Sequence, residues 1–129
     1  MPDRACTPGA TDPRVAQANI DNTICVTGYT KTVRPPQHVT ASIKRERMEA
    51  YGLAGPMSAY ELDHLIPLEL GGASASSANL WPEPWDGPAG ARAKDQVENA
   101  LRREVCAHRV ALAVAQREIA SDWRTVSSG

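Results

Sequence analysis

Phenylalanine is absent from these 129 residues, and aromatics make up only 5%, as three Trp and three Tyr. A core must therefore be built mainly from Leu, Ile, Val and Ala. An excess of charge of one sign is missing as well. The formal net charge is −1, so no global field draws the chain toward nucleic acid or a membrane surface. No hydrophobic run approaches the length of a bilayer span. Cysteine is scarce and its spacing is uninformative: Cys6, Cys25 and Cys106 form no C-x-x-C pair, which argues against a zinc ribbon or a thioredoxin-like site. They allow one disulfide with a thiol left over, or three free thiols. No G-x-S-x-G stretch occurs, which leaves a serine-hydrolase arrangement without a nucleophile. The opening MPDRACTPGATDP has no hydrophobic signal region. As written it addresses the chain to the cytoplasm, or outside it if a leader was removed.

What is present suits one soluble domain spanning residues 1–129. The hydrophobic share is 42% and the charged share 22%, ordinary values for a globular protein large enough to bury a core. Basic residues gather locally as Lys44, Arg45 and Arg47, as Arg92 and Lys94, and as Arg102 and Arg103. Each group reads either as a phosphate-attracting patch or as a solvated helix face.

Along the chain, residues 1–12 read as an irregular arm. Asp12 before Pro13 suits a helix start, with a short helix through Val15 and Ala18 to Ile20. TICVTGYTKTVRPP is β-branched and alternating, and reads as one or two short strands. Thr40 is placed to cap a helix reaching about Ala50, with Gly52 just past its end. YELDHLIPLELGG, residues 60–72, is strand-like on both sides of Pro67. GGASASSA is a turn, and NLWPEPW is a short extended piece in which Pro82 and Pro84 exclude a central strand. AKDQVENALRREVC repeats Ala93, Val97, Leu101 and Val105 at fourfold spacing and predicts a helix. A last helix aligns Leu112, Ala115, Ile119 and Trp123. The fold class expected is α+β.

Asp63 and His64 are the anomaly, two titratable groups inside an apolar run. The order D-H-x-I-P-L at residues 63–68, then Gly71-Gly72, then Asn79-Leu80 resembles the first two parts of the HNH endonuclease motif. A wider set of segments, GYTxTVRPP, ELDHLIPLELGG, NLWPEP and KDxxE…VC, is similar to small actinobacterial-type HNH-like proteins, and it covers roughly Cys6 to Trp123. The resemblance implies a ββα-metal core at about residues 60–106, flanked by N-terminal and C-terminal helices. It implies hydrolysis of nucleic-acid phosphodiesters, of DNA in preference to RNA, with Mg²⁺ or Mn²⁺ as cofactor. In that reading His64 is the general base and Asp63 a metal ligand, while Asn79 organises the site by bridging the hairpin. The chemistry is coherent. An imidazole with an ordinary pKa near 6.5 can take a proton from water at neutral pH, and a carboxylate oxygen is a hard ligand suited to these cations.

Successive strand residues point to opposite faces. Asp63 and His64 can therefore share a site only if the strand ends or twists there, and a strand end at His64 is expected. The third part of the motif departs from the family pattern. Its metal ligand should fall about nine residues after Asn79, which is Pro88, a residue with no donor. The role then passes to Asp95 in the early turns of the helix, or to Glu98 or Asp86. Asp95 can equally be a helix-start carboxylate favoured by the dipole, and Glu98 with Arg102 reads as a surface i,i+4 pair. Arg92 and Lys94 are the phosphate contacts expected beside the site, or a solvated helix start. Trp81 and Trp85 can stack on bases or pack in the core. His38 reads as loop surface, and His108 as a residue at a helix end. If a disulfide forms, Cys25 with Cys106 is the pairing favoured. A metal site left incomplete would make the chain a non-catalytic HNH-like binding domain instead.

Overall fold

The computed structural model describes residues 1–85 and 90–126. Four α-helices and a two-stranded antiparallel sheet make a mixed α and β chain, with short 3₁₀ turns between them. The helices are α1 (Tyr29–Val33), α2 (Gln37–Ala50), α3 (Ala91–Cys106) and α4 (Leu112–Asp122); the strands are β1 (Tyr60–His64) and β2 (Leu80–Pro84).

β1 ends at His64, as the sequence requires, and pairs with β2 in a register that sets Glu61 opposite Glu83, Asp63 opposite Trp81 and His64 opposite Leu80. Beyond the ladder, Leu65 N–H donates to Asn79 C=O at 2.8 Å and Trp85 N–H to Ala59 C=O at 3.3 Å. In an antiparallel pair only alternate residues turn their amides toward the partner. Leu65, Asn79, Trp85 and Ala59 fix that alternation, so Pro82 and Pro84 fall where an N–H would point away from β1. This is why two prolines are tolerated in a strand.

The outer edge of β2 is covered by the N-terminal arm. Gly9 N–H donates to Ala78 C=O at 2.8 Å. The buried Thr7 hydroxyl reaches Leu80 C=O at 3.2 Å and Tyr51 Oη at 2.6 Å. A hydroxyl has one proton to give, so Tyr51 donates to Thr7 and Thr7 to the strand. Thr11 bridges Gly72, and Asp12 N–H donates to Gly71 C=O at 2.8 Å. The arm is irregular, as expected, yet tightly anchored.

Several expectations change. TICVTGYTKTVRPP is not extended: the chain turns at Thr23–Val26 and forms α1 from Tyr29, with Gly28 before it at φ 85°. The helix expected from Pro13 is a 3₁₀ segment, Gln17–Asn22, and the Asp12 carboxylate binds Arg14 instead of capping it. α2 begins at Gln37, which places His38 on a helix surface, and Thr40 Oγ1 donates back to Gln37 C=O at 3.0 Å. After Pro67 the run becomes a 3₁₀ turn, Leu68–Leu70, ended by Gly71 at φ 77°. Strand propensity lost there because Leu68 and Leu70 bury themselves from a turn as fully as from a strand. His108 follows α3 at φ 61°, a conformation unusual for any residue but glycine.

The core joins Ile20, Ile24, Leu65 and Leu70 to one face of α3 (Val97, Leu101, Val105) and one of α4 (Leu112, Ala115, Ile119), closed by Trp123. Both helix stripes are those the periodicity predicts, and Gln116 Nε2 ties α4 to Leu70 C=O at 2.8 Å. Cys25 and Cys106 form a disulfide across 81 residues, pinning the turn after Ile24 to the end of α3, while Cys6 stays free. Closing a loop of that length restricts the unfolded chain by about 4.5 kcal/mol in the entropic account. Replacing both cysteines by serine should lower the unfolding free energy in urea by about 2–5 kcal/mol without altering the far-UV circular dichroism of the folded state.

Candidate functional site

Asn79 is fully buried at the turn into β2. Its Oδ1 accepts from Ile66 N–H at 3.0 Å and Ala10 N–H at 3.3 Å, and its Nδ2 donates to Ile66 C=O at 2.9 Å and Ala73 C=O at 3.0 Å. One amide thus clamps the segment after β1, the Gly-Gly turn and the N-terminal arm. Gly72 makes the clamp feasible: a Cβ there would lie 1.7 Å from Ile66 O and 2.9 Å from Asn79 Nδ2. Only a hydrogen fits.

The clamp fixes where β1 stops, and so where His64 stands. Its Nε2 lies 2.8 Å from the Ser74 carbonyl oxygen. A carbonyl only accepts, so Nε2 carries the proton and Nδ1 is the basic atom of the neutral ring. Burial pushes the imidazole pKa below its ordinary value, against the Ser74 carbonyl and the Asp63 charge, which favour the protonated form. The ring is held neutral near pH 7, in one tautomer.

His64, Asp63, Glu61, Asp95 and Glu98 line one cavity of about 300 Å³, with Arg34 at its wall. The strand end therefore does bring Asp63 and His64 to a shared space. A second groove of about 650 Å³ shares Arg34, Glu61, Asp63 and His64 with that cavity, and is also lined by Tyr60, Lys44 and the exposed Trp85. His64 stands where the two meet.

Lys94 overturns an expectation. Placed by sequence beside a phosphate, it is instead fully buried. Its ammonium donates to the His64 carbonyl at 2.8 Å, bonds Glu98 Oε2 and lies 2.9 Å from Asp63 Oδ2. Desolvation opposes its charge, but Asp63 and Glu98 together outweigh it, so its pKa rises above the ordinary lysine value. Glu98 is likewise no surface partner of Arg102. It is buried against Lys94, and Arg102 Nε donates to Ile24 C=O at 3.0 Å. Arg92 is exposed in the first turn of α3 and lines neither space. Asp95 faces the cavity from an exposed position, its pKa raised by partial burial and by Asp63. Trp81 is core, and Trp85 is the exposed tryptophan. Asp86 lies outside the described residues.

Two residues that the sequence reading passed over complete the site. Glu61, Asp63 and Glu83 each offer a carboxylate oxygen, all within 4.8 Å of one another. Alternation puts Glu61 on the same face as Asp63, a signal already in the sequence; Glu83 joins them only through the β1–β2 register. Glu83 is fully buried, and neither of its oxygens has a hydrogen-bond partner among the described residues. Glu61 Oε2 also lacks one, while Asp63 Oδ2 has the ion-pair contact with Lys94 at 2.9 Å. Burial, then the Asp63 charge, lifts Glu83 to about 9 and Glu61 to about 7. Burial lifts Glu98 to about 8, with Lys94 opposing and Asp63 adding. Oxygen-only donors stripped of hydrogen bonds fit a hard divalent cation such as Mg²⁺ or Mn²⁺.

Comparison of this chain with family models, with curated proteins and with solved structures yields no match.

The raised carboxyls have a measurable consequence. In the folded chain Glu83 and Glu61 keep protons that an unfolded chain releases near pH 4.5. Stability should be greatest below that pH for these groups, and fall as pH rises through about 7 to 9, by up to about 1.4 kcal/mol per pH unit for each net proton. Urea unfolding in EDTA between pH 5 and 9 measures the slope. Glu83→Gln should flatten it toward alkaline pH.

Proposed function

We propose that the chain is a metal-dependent nuclease of the ββα-metal type, with β1, β2 and α3 as the catalytic unit and His64 as general base. The observation that carries this reading is the His64 ring, neutral, fixed in one tautomer by Ser74, and set at the mouth of a carboxylate-lined cavity. A general base needs that combination of geometry and pKa.

In this reading Nδ1 takes a proton from water. The resulting oxygen bonds to phosphorus as the bond to the 3′ oxygen breaks, and the leaving oxygen takes its proton from solvent. Asp63 would hold a divalent cation, which when bound would compensate the negative charge gathering on the phosphate. Asn79 acts through His64 as a positioning residue, because it fixes the segment that ends β1.

The basic and aromatic contacts come from the groove in place of Arg92 and Lys94. Arg34 and Lys44 suit phosphates, and Trp85 offers a face on which a base can stack. The Cys25–Cys106 bridge is of a kind that persists in oxidising compartments, which favours work outside a reducing cytoplasm. A second reading, a non-catalytic domain, draws on the ion pair that already occupies Asp63 and on the position of Asp95 outside the Glu61–Asp63–Glu83 group.

Plasmid nicking separates the two. The intact protein should nick supercoiled DNA with Mg²⁺ or Mn²⁺ and not with EDTA, and His64→Ala should be slower by about 10²–10⁴-fold. The acid limb of the rate should lie below pH 6.5, the ordinary histidine value, because the ring pKa is lowered. Equal nicking by both proteins removes His64 as base. The double variant Arg34→Ala/Lys44→Ala should weaken binding of a labelled oligonucleotide in fluorescence anisotropy and reduce its salt dependence, each lost phosphate contact lowering the slope by about 1.

A further inference from the structure

We propose that Glu61, Asp63 and Glu83 form a ready-made site for one hard divalent cation on the sheet face, with Lys94 as a fixed internal counter-cation and Asp95 outside the ligand set. The site adjoins the cavity of the hydrolytic reading, which Glu61 and Asp63 line, but the inference stands or falls on binding alone, whether or not a phosphodiester is cut.

Backbone pairing sets the ligands. Glu61 and Glu83 are direct cross-strand partners, and Asp63 follows Glu61 by two residues, so all three project from one side of a single hairpin. Their nearest oxygens fall within 4.8 Å of one another, a spacing that one ion with bonds of about 2.1–2.6 Å spans with small side-chain movement.

Proximity of acids alone would carry little weight, since acidic clusters are common at protein surfaces. The decisive observation is Glu83: fully buried, directed at the other two carboxylates, and with neither oxygen hydrogen-bonded among the described residues. A buried acceptor left without a donor is destabilising, and more so if it is charged. The buried cation beside them does not relieve this. The ammonium of Lys94 is directed to the His64 carbonyl, Glu98 and Asp63, which leaves Glu83 and Glu61 Oε2 unserved. The fixed charge does lower the net negative charge around Asp63, which favours retention of a single divalent ion over a pair. With oxygen donors only, the site selects Mg²⁺, Mn²⁺ or Ca²⁺ over thiophilic metals.

Electron paramagnetic resonance of free Mn²⁺, titrated into the full chain with its disulfide intact, reads occupancy directly. One equivalent should be taken up by the wild-type chain, and Ca²⁺ should displace it. Glu83→Gln should weaken uptake by about tenfold or more, and Asp95→Asn should bind as the wild type does. Glu61→Gln, at a partly exposed position, provides a second ligand variant if the buried change prevents folding. Absence of stoichiometric Mn²⁺ uptake from pH 6 to 9 would mean that protons alone balance these carboxylates, and would overturn the site. So would unchanged binding by both glutamine variants, or loss of binding in Asp95→Asn. Uptake without nicking leaves this assignment in place and removes the hydrolytic reading; nicking without uptake does the reverse.

Discussion

A single ammonium group joins the sheet to the helix. Lys94 reaches from the first turns of α3 to the backbone of His64 and to the carboxylate of Asp63, and is held on its own helix by Glu98. Burying a lysine costs several kcal/mol unless ion pairs and hydrogen bonds replace its water, and here three acceptors do so. The arrangement locks the axial position of α3 against the end of β1. It also leaves two neighbours unserved, because Glu61 and Glu83 stand beside Asp63 while the ammonium is directed to other acceptors.

The second constraint is steric. Asn79 can clamp the returning chain only because Gly72 lets the backbone of Ile66 approach within a distance that any Cβ would block. From this clamp follow the end of β1, the carbonyl of Ser74 beside the imidazole, and the shared space of Asp63 and His64. An amide with four hydrogen bonds and a glycine without a side chain thereby help to fix a histidine tautomer.

The parts of this architecture that were legible in the sequence are those governed by one dominant signal. The stripes Val97–Leu101–Val105 and Ala115–Ile119–Trp123 were readable because helical periodicity and burial agree. The end of β1 was readable from the need to bring two adjacent side chains together. The stretch from Thr23 to Val33 misled because β-branched residues favour strands only where a partner strand exists; here Cys25 is tied to α3 and the segment packs as a turn and a short helix. Lys94 was misplaced for a related reason. A lysine in a polar helical stripe looks solvated until the partner face is known, and that face turned out to be a carboxylate-bearing sheet. Glu83 is the clearest case: its meaning comes entirely from the register that sets it opposite Glu61.

The arm that runs along β2 has an effect of another kind. Thr7 and Gly9 occupy carbonyls of Leu80 and Ala78 that would otherwise be open on the outer side of a two-stranded ribbon. Proteolytic trimming back to Pro13 would leave Asp63 and His64 in the chain, yet it would turn that edge into an adhesive surface able to recruit strands from neighbouring molecules. Protection of that edge thus resides in a dozen residues that form neither helix nor strand.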